Sequence, residues 1–403
     1  MATYKAPLRD IRFLLNNVFA AEQLFASMPD TAEITDDLIA AIVEEAGKIA
    51  EGLLAPINSS GDAEACHFEN GTVTTPKGFK QAYKAFADGG WPSLTGDVNY
   101  GGQGMPKMLS AVIEEMLFAA NSSFALYTIL NTGATLTLSQ HGSDELKQRY
   151  LPQMYSGKYS GTMCLTEPHA GTDLGMIKTK AETQADGSYL LSGTKIFITA
   201  GEHDLTENII HLVLAKLPDA PPGPRGISLF LVPKFLVDES GTLTAERNTV
   251  VCGSIEHKMG IKASATCVMN FDSAVGYLVG EENQGLSHMF TMMNYERLSM
   301  GLQGNGLADS SYQLAAAYAK ERMQGRAATG ALQPRLNADP IIVHPDVRRM
   351  LLTMRANILA GRALSLYAAS QLDISRFHPI EASRKKAEQL VALLIPVQKA
   401  YCT

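Results

Sequence analysis

The chain has 403 residues, with 34 basic against 41 acidic side chains and a formal net charge of −7. At roughly 100–200 residues per domain it holds two or three substructures, and an acidic chain without Lys/Arg runs argues against a nucleic-acid partner. Hydrophobic residues make up 46% and charged ones only 19%, below the roughly 25% of ordinary soluble domains, which implies that a partner subunit or a bulky ligand covers part of the surface.

The opening MATYKAPLRDIRFLL carries a charge every few positions and lacks the apolar core of a signal peptide. Over residues 34–54, Leu38, Ile39, Ile42, Val43, Ala46, Ile49, Ala50, Leu53 and Leu54 recur at helical spacing, with Thr35 as N-cap and Pro56 as stop. Thr75-Pro76 opens a second helix through Phe79, Tyr83 and Phe86, closed by Gly89-Gly90. Beyond the glycine-rich turn 100–104, helix runs to about Gln140, and Ser143 starts a short one reaching Tyr155. Residues 116–143 contain no Asp, Glu, Lys or Arg and so mimic a membrane span. Asn121, Ser122, Ser123, Asn131, Thr132, Ser139 and Gln140 make them too polar for a lipid-facing helix, and a buried helix is expected.

The period changes at Lys158. Segments 189–199, 209–216, 226–233, 249–257 and 266–271 are short, β-branched and separated by Gly, Pro, Asp and Ser, the pattern of an antiparallel sandwich or barrel. From Gln284 helical spacing returns through Leu286, Met289, Phe290, Met293, Leu298 and Leu302 to about Arg322. After a loop with Pro334, Pro340 and Pro345, helices are expected over 347–371 and from Ile380 onward. The fold class is α+β, in the order α, β, α. The expected divisions are an N-terminal extension at 1–34, a helical domain at 35–157, a β domain at 158–279 and a C-terminal helical domain at 280–403. Five scattered cysteines without a C-x-x-C pair point to a reducing compartment and exclude a disulfide framework or zinc site. His141, His169, His203 and His257 stand at no metal-ligand spacing, so no metal is expected and these read as loop or cap histidines.

The most informative stretch is Met163-Cys164-Leu165-Thr166-Glu167-Pro168-His169-Ala170-Gly171-Thr172-Asp173, where helix hands over to sheet. Its hydroxyls and its Ala-Gly-Thr turn expose donors suited to a ring carbonyl and a phosphate; a loop that merely caps the first strand fits the spacing equally well. Followed by Ile177-Lys178-Thr179, the stretch resembles the first signature of the acyl-CoA dehydrogenase family, with Met176 where a small residue is usual. Lys195-Ile196-Phe197-Ile198-Thr199, Lys258-Met259-Gly260, Val279-Gly280-Glu281-Glu282-Asn283-Gln284-Gly285 and Glu321-Arg322 agree in order and spacing. The resemblance runs from about residue 35 to the last residue.

That resemblance implies an N-terminal helical domain, a middle antiparallel β-sandwich or barrel and a C-terminal helical bundle, with FAD between the β domain and the C-terminal helices. Met163, Leu165 and Thr166 would line the isoalloxazine, while Gly171 and Thr172 would face the pyrophosphate and the incoming CoA thioester. Phe197 and Thr199 would flank the ring near N5, although ordinary strand alternation also accounts for them. Arg322 resembles the arginine that reaches the FAD of a neighbouring subunit; without the family it is a solvated helix-end cation. The Thr-Phe that often follows is replaced by Met323-Gln324-Gly325. The implied activity is α,β-dehydrogenation of an acyl-CoA thioester, in a cytoplasmic homodimer or homotetramer passing electrons to an electron-transfer flavoprotein. A glutamate takes the α-proton and the β-hydride goes to flavin N5.

Family members carry that glutamate either in a Tyr-Glu-Gly-Thr loop near the chain's end or in a Glu-Arg pair on the first long C-terminal helix. The loop and the family's second, glycine-rich signature are missing here, and Leu390, Leu393, Leu394 and Val397 continue without a capping glycine. The expectation is a C-terminally truncated chain with an incomplete bundle; a competing reading is that without the missing segment it binds flavin poorly and turns over nothing. Glu296-Arg297 occupies the second place. Glu296 is the candidate base, with a helix-surface ion pair or a pocket wall as the alternatives; Asn294 and Arg297 would then face the CoA or acyl chain. The first thirty residues and the loop from Pro334 to Pro345 resemble the 3-methylmercaptopropionyl-CoA dehydrogenase branch, which acts on 3-methylthiopropionyl-CoA in dimethylsulfoniopropionate breakdown. A general short- or medium-chain acyl-CoA dehydrogenase of fatty-acid oxidation, an acyl-CoA oxidase, and a family-like flavoprotein that binds nucleic acid through Arg384-Lys385-Lys386 remain alternatives.

Overall fold

The computed structural model describes residues 4–403, so the first three residues of the expected N-terminal extension lie outside it. Helices α1 (Leu8–Arg12), α2 (Ala21–Ala26), α3 (Asp36–Lys48), α4 (Asn58–Glu64), α5 (Phe79–Asp88), α6 (Lys107–His141) and α7 (Asp144–Tyr155) fill the first part of the chain, with a small hairpin of β1 (His67–Glu69) and β2 (Thr72–Thr74). Nine strands follow: β3 (Tyr159–Cys164), β4 (Lys180–Thr183), β5 (Tyr189–Thr199), β6 (Asn208–Lys216), β7 (Ile227–Pro233), β8 (Phe235–Val237), β9 (Leu243–Arg247), β10 (Val250–Ile255) and β11 (Thr266–Leu278). Then come α8 (Gly285–Glu321), α9 (Pro345–Phe377) and α10 (Glu381–Cys402).

Local chemistry explains most boundaries. The Thr35 and Ser143 hydroxyls accept hydrogen bonds from the amides of Leu38 and Leu146, satisfying donors that a helix start leaves open. The helix expected from Thr75-Pro76 begins only at Phe79, because Gly78 takes φ +92° and turns the chain first. Past Lys48, α3 widens into a π-helical turn over Ile49–Leu54. Helix α9 starts at Pro345, where a missing N–H costs nothing.

The described residues fall into two compact units. The first comprises residues 4–56, Pro106–Ser122 and Arg297–Thr403; the second comprises Ile57–Met105 and Ser123–Glu296. Helix α6 leaves helical geometry at Asn121 (φ −159°, ψ 90°), next to the division.

In the first unit, Arg362 of α9 is fully buried and grips Glu115 of α6, its Nε and Nη2 donating to the carboxylate at 2.6–3.1 Å. Asp373 of α9 caps the start of α6, accepting the amides of Lys107 (2.6 Å) and Met108 (2.9 Å). Leu393, Val397 and Tyr401 of α10, four residues apart and so on one helix face, are exposed, as are Leu307, Leu314 and Tyr318 of α8.

In the second unit, β11, β5, β4, β6 and β7 pair in a closed ring, since β7 bonds to both β6 and β11; β10 extends it beside β11 and β3 beside β6. Most pairings are antiparallel, but β3 lies parallel to β6 in an unbroken six-residue register and β4 meets β6 in parallel at one pair. Leu191, Val213, Phe230, Val232, Cys267 and Met269 fill the interior. The apolar stretch of α6 is wholly buried, and α6 is the one helix among the described residues long and apolar enough to cross a membrane. Phe124 on its second half packs against the rings of Phe79 and Phe86 on α5 at centroid distances of 6.1 and 5.8 Å.

Candidate active site

Past Cys164 the chain runs on beside the end of β5. The Ile196 amide donates to the Thr166 carbonyl at 2.8 Å, and the Thr162 hydroxyl to the Thr199 carbonyl at 2.6 Å. Candidate residues Met163, Leu165 and Thr166 are thus brought next to Phe197 and Thr199. Leu165 is buried, and Met163, Thr166 and Thr199 are half-buried.

Strand alternation does not account for Phe197. Met269 pairs with Lys195 and Cys267 with Ile198, so β5 carries one more residue than β11 across this stretch, a β-bulge. Phe197 takes φ +60° and leaves its ring 59% exposed. A bulky side chain in the left-handed region is strained by on the order of 1–2 kcal/mol, and such strain concentrates at functional sites.

The loop that follows Thr166 turns tightly, with Glu167 and Ala170 exchanging amide-to-carbonyl bonds of 3.0 Å. Beneath it Glu167 is 3% exposed. Its Oε1 accepts from the Thr179 hydroxyl (2.6 Å), the Lys195 ammonium (2.8 Å) and the Thr179 amide (3.1 Å), and its Oε2 from the Lys178 amide (2.7 Å). Lys195, fully buried, also donates to the Leu165 carbonyl at 3.0 Å. Burial pushes the Glu167 carboxyl up, but the Lys195 charge and these donors together outweigh it and hold the group below its usual value. Burial lowers the Lys195 ammonium in spite of Glu167. Neither residue was a sequence-level candidate; a lysine on the buried face of an apolar strand was the available signal.

Above this base the loop is open. Gly171 and Thr172 are exposed, and a Cβ on Gly171 would meet nothing within 4 Å. The hydroxyls of Thr166, Thr172 and Thr199 bond to nothing among the described residues.

On α8, Asn294 is exposed while Glu296 is 8% exposed and faces Gly133 of α6. Arg297 and Arg322 belong to the other unit. Arg297 is half-buried. Arg322 follows the last residue of α8, exposed, its amide donating to the Tyr318 carbonyl at 2.8 Å and its side chain in no ion pair among the described residues. The Met323-Gln324-Gly325 departure begins a loop closed on Asp339, whose buried carboxylate accepts the amides of Ala327, Leu332 and Gln333. His203 lies in the loop after β5 and is buried: its Nδ1 accepts the Leu205 amide, its Nε2 lies 3.0 Å from the Ser160 hydroxyl, and burial drops it to about pKa 3, so it stays neutral. No group of three or more His, Cys, Asp or Glu suited to a metal occurs among the described residues, and the five cysteines are unpaired.

Sequence profiles of the acyl-CoA dehydrogenase N-terminal, middle and C-terminal domains match residues 38–158, 162–274 and 283–388. The chain is 48% identical over 401 residues to a 3-methylmercaptopropionyl-CoA dehydrogenase of Ruegeria pomeroyi, covering 100% of this chain and 67% of the relative. It is 38% identical over 410 residues to a butyryl-CoA dehydrogenase of Syntrophomonas wolfei, covering 99% and 66%. The chain thus spans about two thirds of the length of these relatives. Among solved structures, an acyl-CoA dehydrogenase complexed with FAD from Bacillus anthracis has the same fold, with TM-score 0.70 over 93% of this chain and 57% of that chain at 24% identity.

Proposed function

Because the chain belongs to the acyl-CoA dehydrogenase family, we propose that it catalyses FAD-dependent α,β-dehydrogenation of an acyl-CoA thioester. The observation that carries this reading is the pairing of Met163–Thr166 with the bulged end of β5. It leaves an exposed aromatic ring beside the hydroxyls of Thr166 and Thr199, which bond to nothing among the described residues, and the loop that follows offers an unobstructed glycine, Gly171. These features fit a flavin: an apolar wall for the ring system, O–H groups for its polar edge and bare backbone for a phosphate. FAD, when bound, supplies a hydride acceptor at N5. Thr166 and Thr199 would orient the ring, Phe197 would shield it from water, and Gly171 and Thr172 would hold the pyrophosphate side.

Glu296 is the proposed base, a carboxyl held in a largely buried position. Asn294 and Arg297 are assigned to the CoA or acyl chain, and Arg322 to the cofactor of a neighbouring subunit. The 48% identity to the Ruegeria pomeroyi enzyme favours 3-methylthiopropionyl-CoA as substrate, with an electron-transfer flavoprotein as acceptor. The exposed apolar faces of α8 and α10 suit a homodimer or homotetramer, and the free cysteines a cytoplasmic setting. Anaerobic mixing of the FAD-loaded chain with 3-methylthiopropionyl-CoA should bleach the flavin faster than butyryl-CoA does. Faster bleaching by butyryl-CoA would overturn the substrate, and an unchanged spectrum with every short acyl-CoA would overturn the activity.

A further inference from the structure

We propose that Glu167, clamped by Lys195, is the positioning residue of the flavin-facing loop: it closes the base of residues 168–177 and sets them against the bulge that presents Phe197. The proposal rests on the FAD reading above.

Glu167 touches both ends of the loop. It is part of the tight turn on the entering side, and on the leaving side it accepts two consecutive amides, from Lys178 and Thr179, and the Thr179 hydroxyl. Lys195 adds a third segment. One ammonium binds Glu167 at 2.8 Å and the Leu165 carbonyl at 3.0 Å, and Lys195 stands two residues before Phe197, at the foot of the bulge. The ion pair therefore fixes the candidate ring-lining segment, the candidate phosphate loop and the strained aromatic relative to one another. The His169 imidazole lies 3.4 Å from the outer carboxylate oxygen, on the solvent side.

Stability alone gives a weak account of this pair, since a buried ion pair is often replaceable by apolar side chains without loss. The loop supplies the better one. Pro168, His169, Gly171, Thr172, Asp173 and Met176 are all exposed, so it has almost no core of its own and takes its shape from its base. Directional hydrogen bonds to one carboxylate define that shape in a way that apolar packing does not.

Three variants of the full chain test this: Thr179→Val, which removes one donor at nearly constant volume; the Glu167→Gln/Lys195→Met pair, which leaves no buried charge; and Leu214→Ala, a truncation elsewhere in the barrel. The readouts are the FAD dissociation constant from flavin fluorescence and amide hydrogen exchange across 168–177 in the cofactor-free chain. Thr179→Val should weaken FAD about tenfold, the size of a lost hydrogen bond to a charged group, and speed exchange across the loop. The double variant should do both more strongly, while Leu214→Ala should lower the unfolding temperature and leave both readouts at the parental value. Parental FAD affinity and exchange in Thr179→Val would overturn the proposal, as would equal losses in Leu214→Ala. If the double variant does not fold, Thr179→Val decides alone. If the parent itself binds no FAD, the functional reading falls, while the exchange data still report on Glu167.

Discussion

Gly133 of α6 faces Glu296 of α8 so closely that a Cβ at position 133 would stand 2.6 Å from Oε1 and 2.9 Å from the Met292 Cγ. Glycine at 133 is therefore the condition for this carboxyl to sit where it does. Glu296→Gln keeps the shape and removes the proposed base, and should slow substrate-dependent bleaching by about a hundredfold or more with FAD affinity unchanged. Rapid-mixing absorbance measures this, and a near-parental rate would leave Glu296 as pocket wall. Gly133→Ala should lower stability by about 1–3 kcal/mol through overpacking and slow bleaching with the glutamate still present.

Phe197 yields a prediction of opposite sign for stability. At φ +60° with its ring 59% exposed, it carries backbone strain on the order of 1–2 kcal/mol and has only part of a ring's burial to offset it. Asparagine adopts the left-handed region more readily, so Phe197→Asn should raise the stability of the cofactor-free chain by about 0.5–1 kcal/mol and weaken FAD binding. Thermal unfolding and flavin fluorescence read the two effects separately. A variant less stable than the parent would show that the bulge is not strained, and unchanged FAD affinity would remove Phe197 from the cofactor wall.

These two sites show where sequence stops being informative. The caps at Thr35 and Ser143 were legible because capping is settled within four residues. The burial of α6 was legible because its polar residues suit a protein interior better than lipid. Strand β11 was expected to end at Phe271, since Asp272-Ser273 resembles a turn, yet it continues to Leu278. Ser273 takes φ +54° inside a bulge, and Tyr277 and Leu278 then find β7 as a new partner. The Glu167–Lys195 pair was invisible for a related reason: 28 residues separate the partners, and only the β-ring makes them neighbours. The candidate flavin-lining segments stand out through family resemblance, not through spacing.

Asp373 gives stability a pH dependence. Its carboxyl is buried between α9 and the start of α6, and desolvation raises it from 3.8 to about 7, against the opposing pull of the Met108 and Lys107 amides and the charges of Arg376 and Lys107. Between about pH 4 and pH 7 the folded chain keeps a proton that the unfolded chain has released. Asp373 therefore makes the protein less stable as pH rises through that window, and its effect is constant above it. In Asp373→Asn this component is missing. Its unfolding midpoint in urea, compared with the parent at pH 5 and pH 8, should lose ground at pH 5 and recover relative to the parent at pH 8. Parallel profiles would show that Asp373 does not titrate there.

Arg362 sits at the opposite extreme, a charge that never leaves. Burial works against its guanidinium, but Glu115 bound at two points and Asp309 at 3.6 Å outweigh the penalty and raise its pKa above the ordinary arginine value. Removing one partner strands the other in a dry interior, which costs about 3–5 kcal/mol, whereas replacing both is often nearly neutral. Arg362→Met should accordingly lower the unfolding temperature steeply. Arg362→Met combined with Glu115→Gln should recover much of the loss, because the amide still accepts from Asn305, which now donates to Glu115 at 2.9 Å. Calorimetry on the two variants separates the readings. A double variant as unstable as the single one would mean that the geometry of the pair, and not the stranded carboxylate, holds α9 against α6.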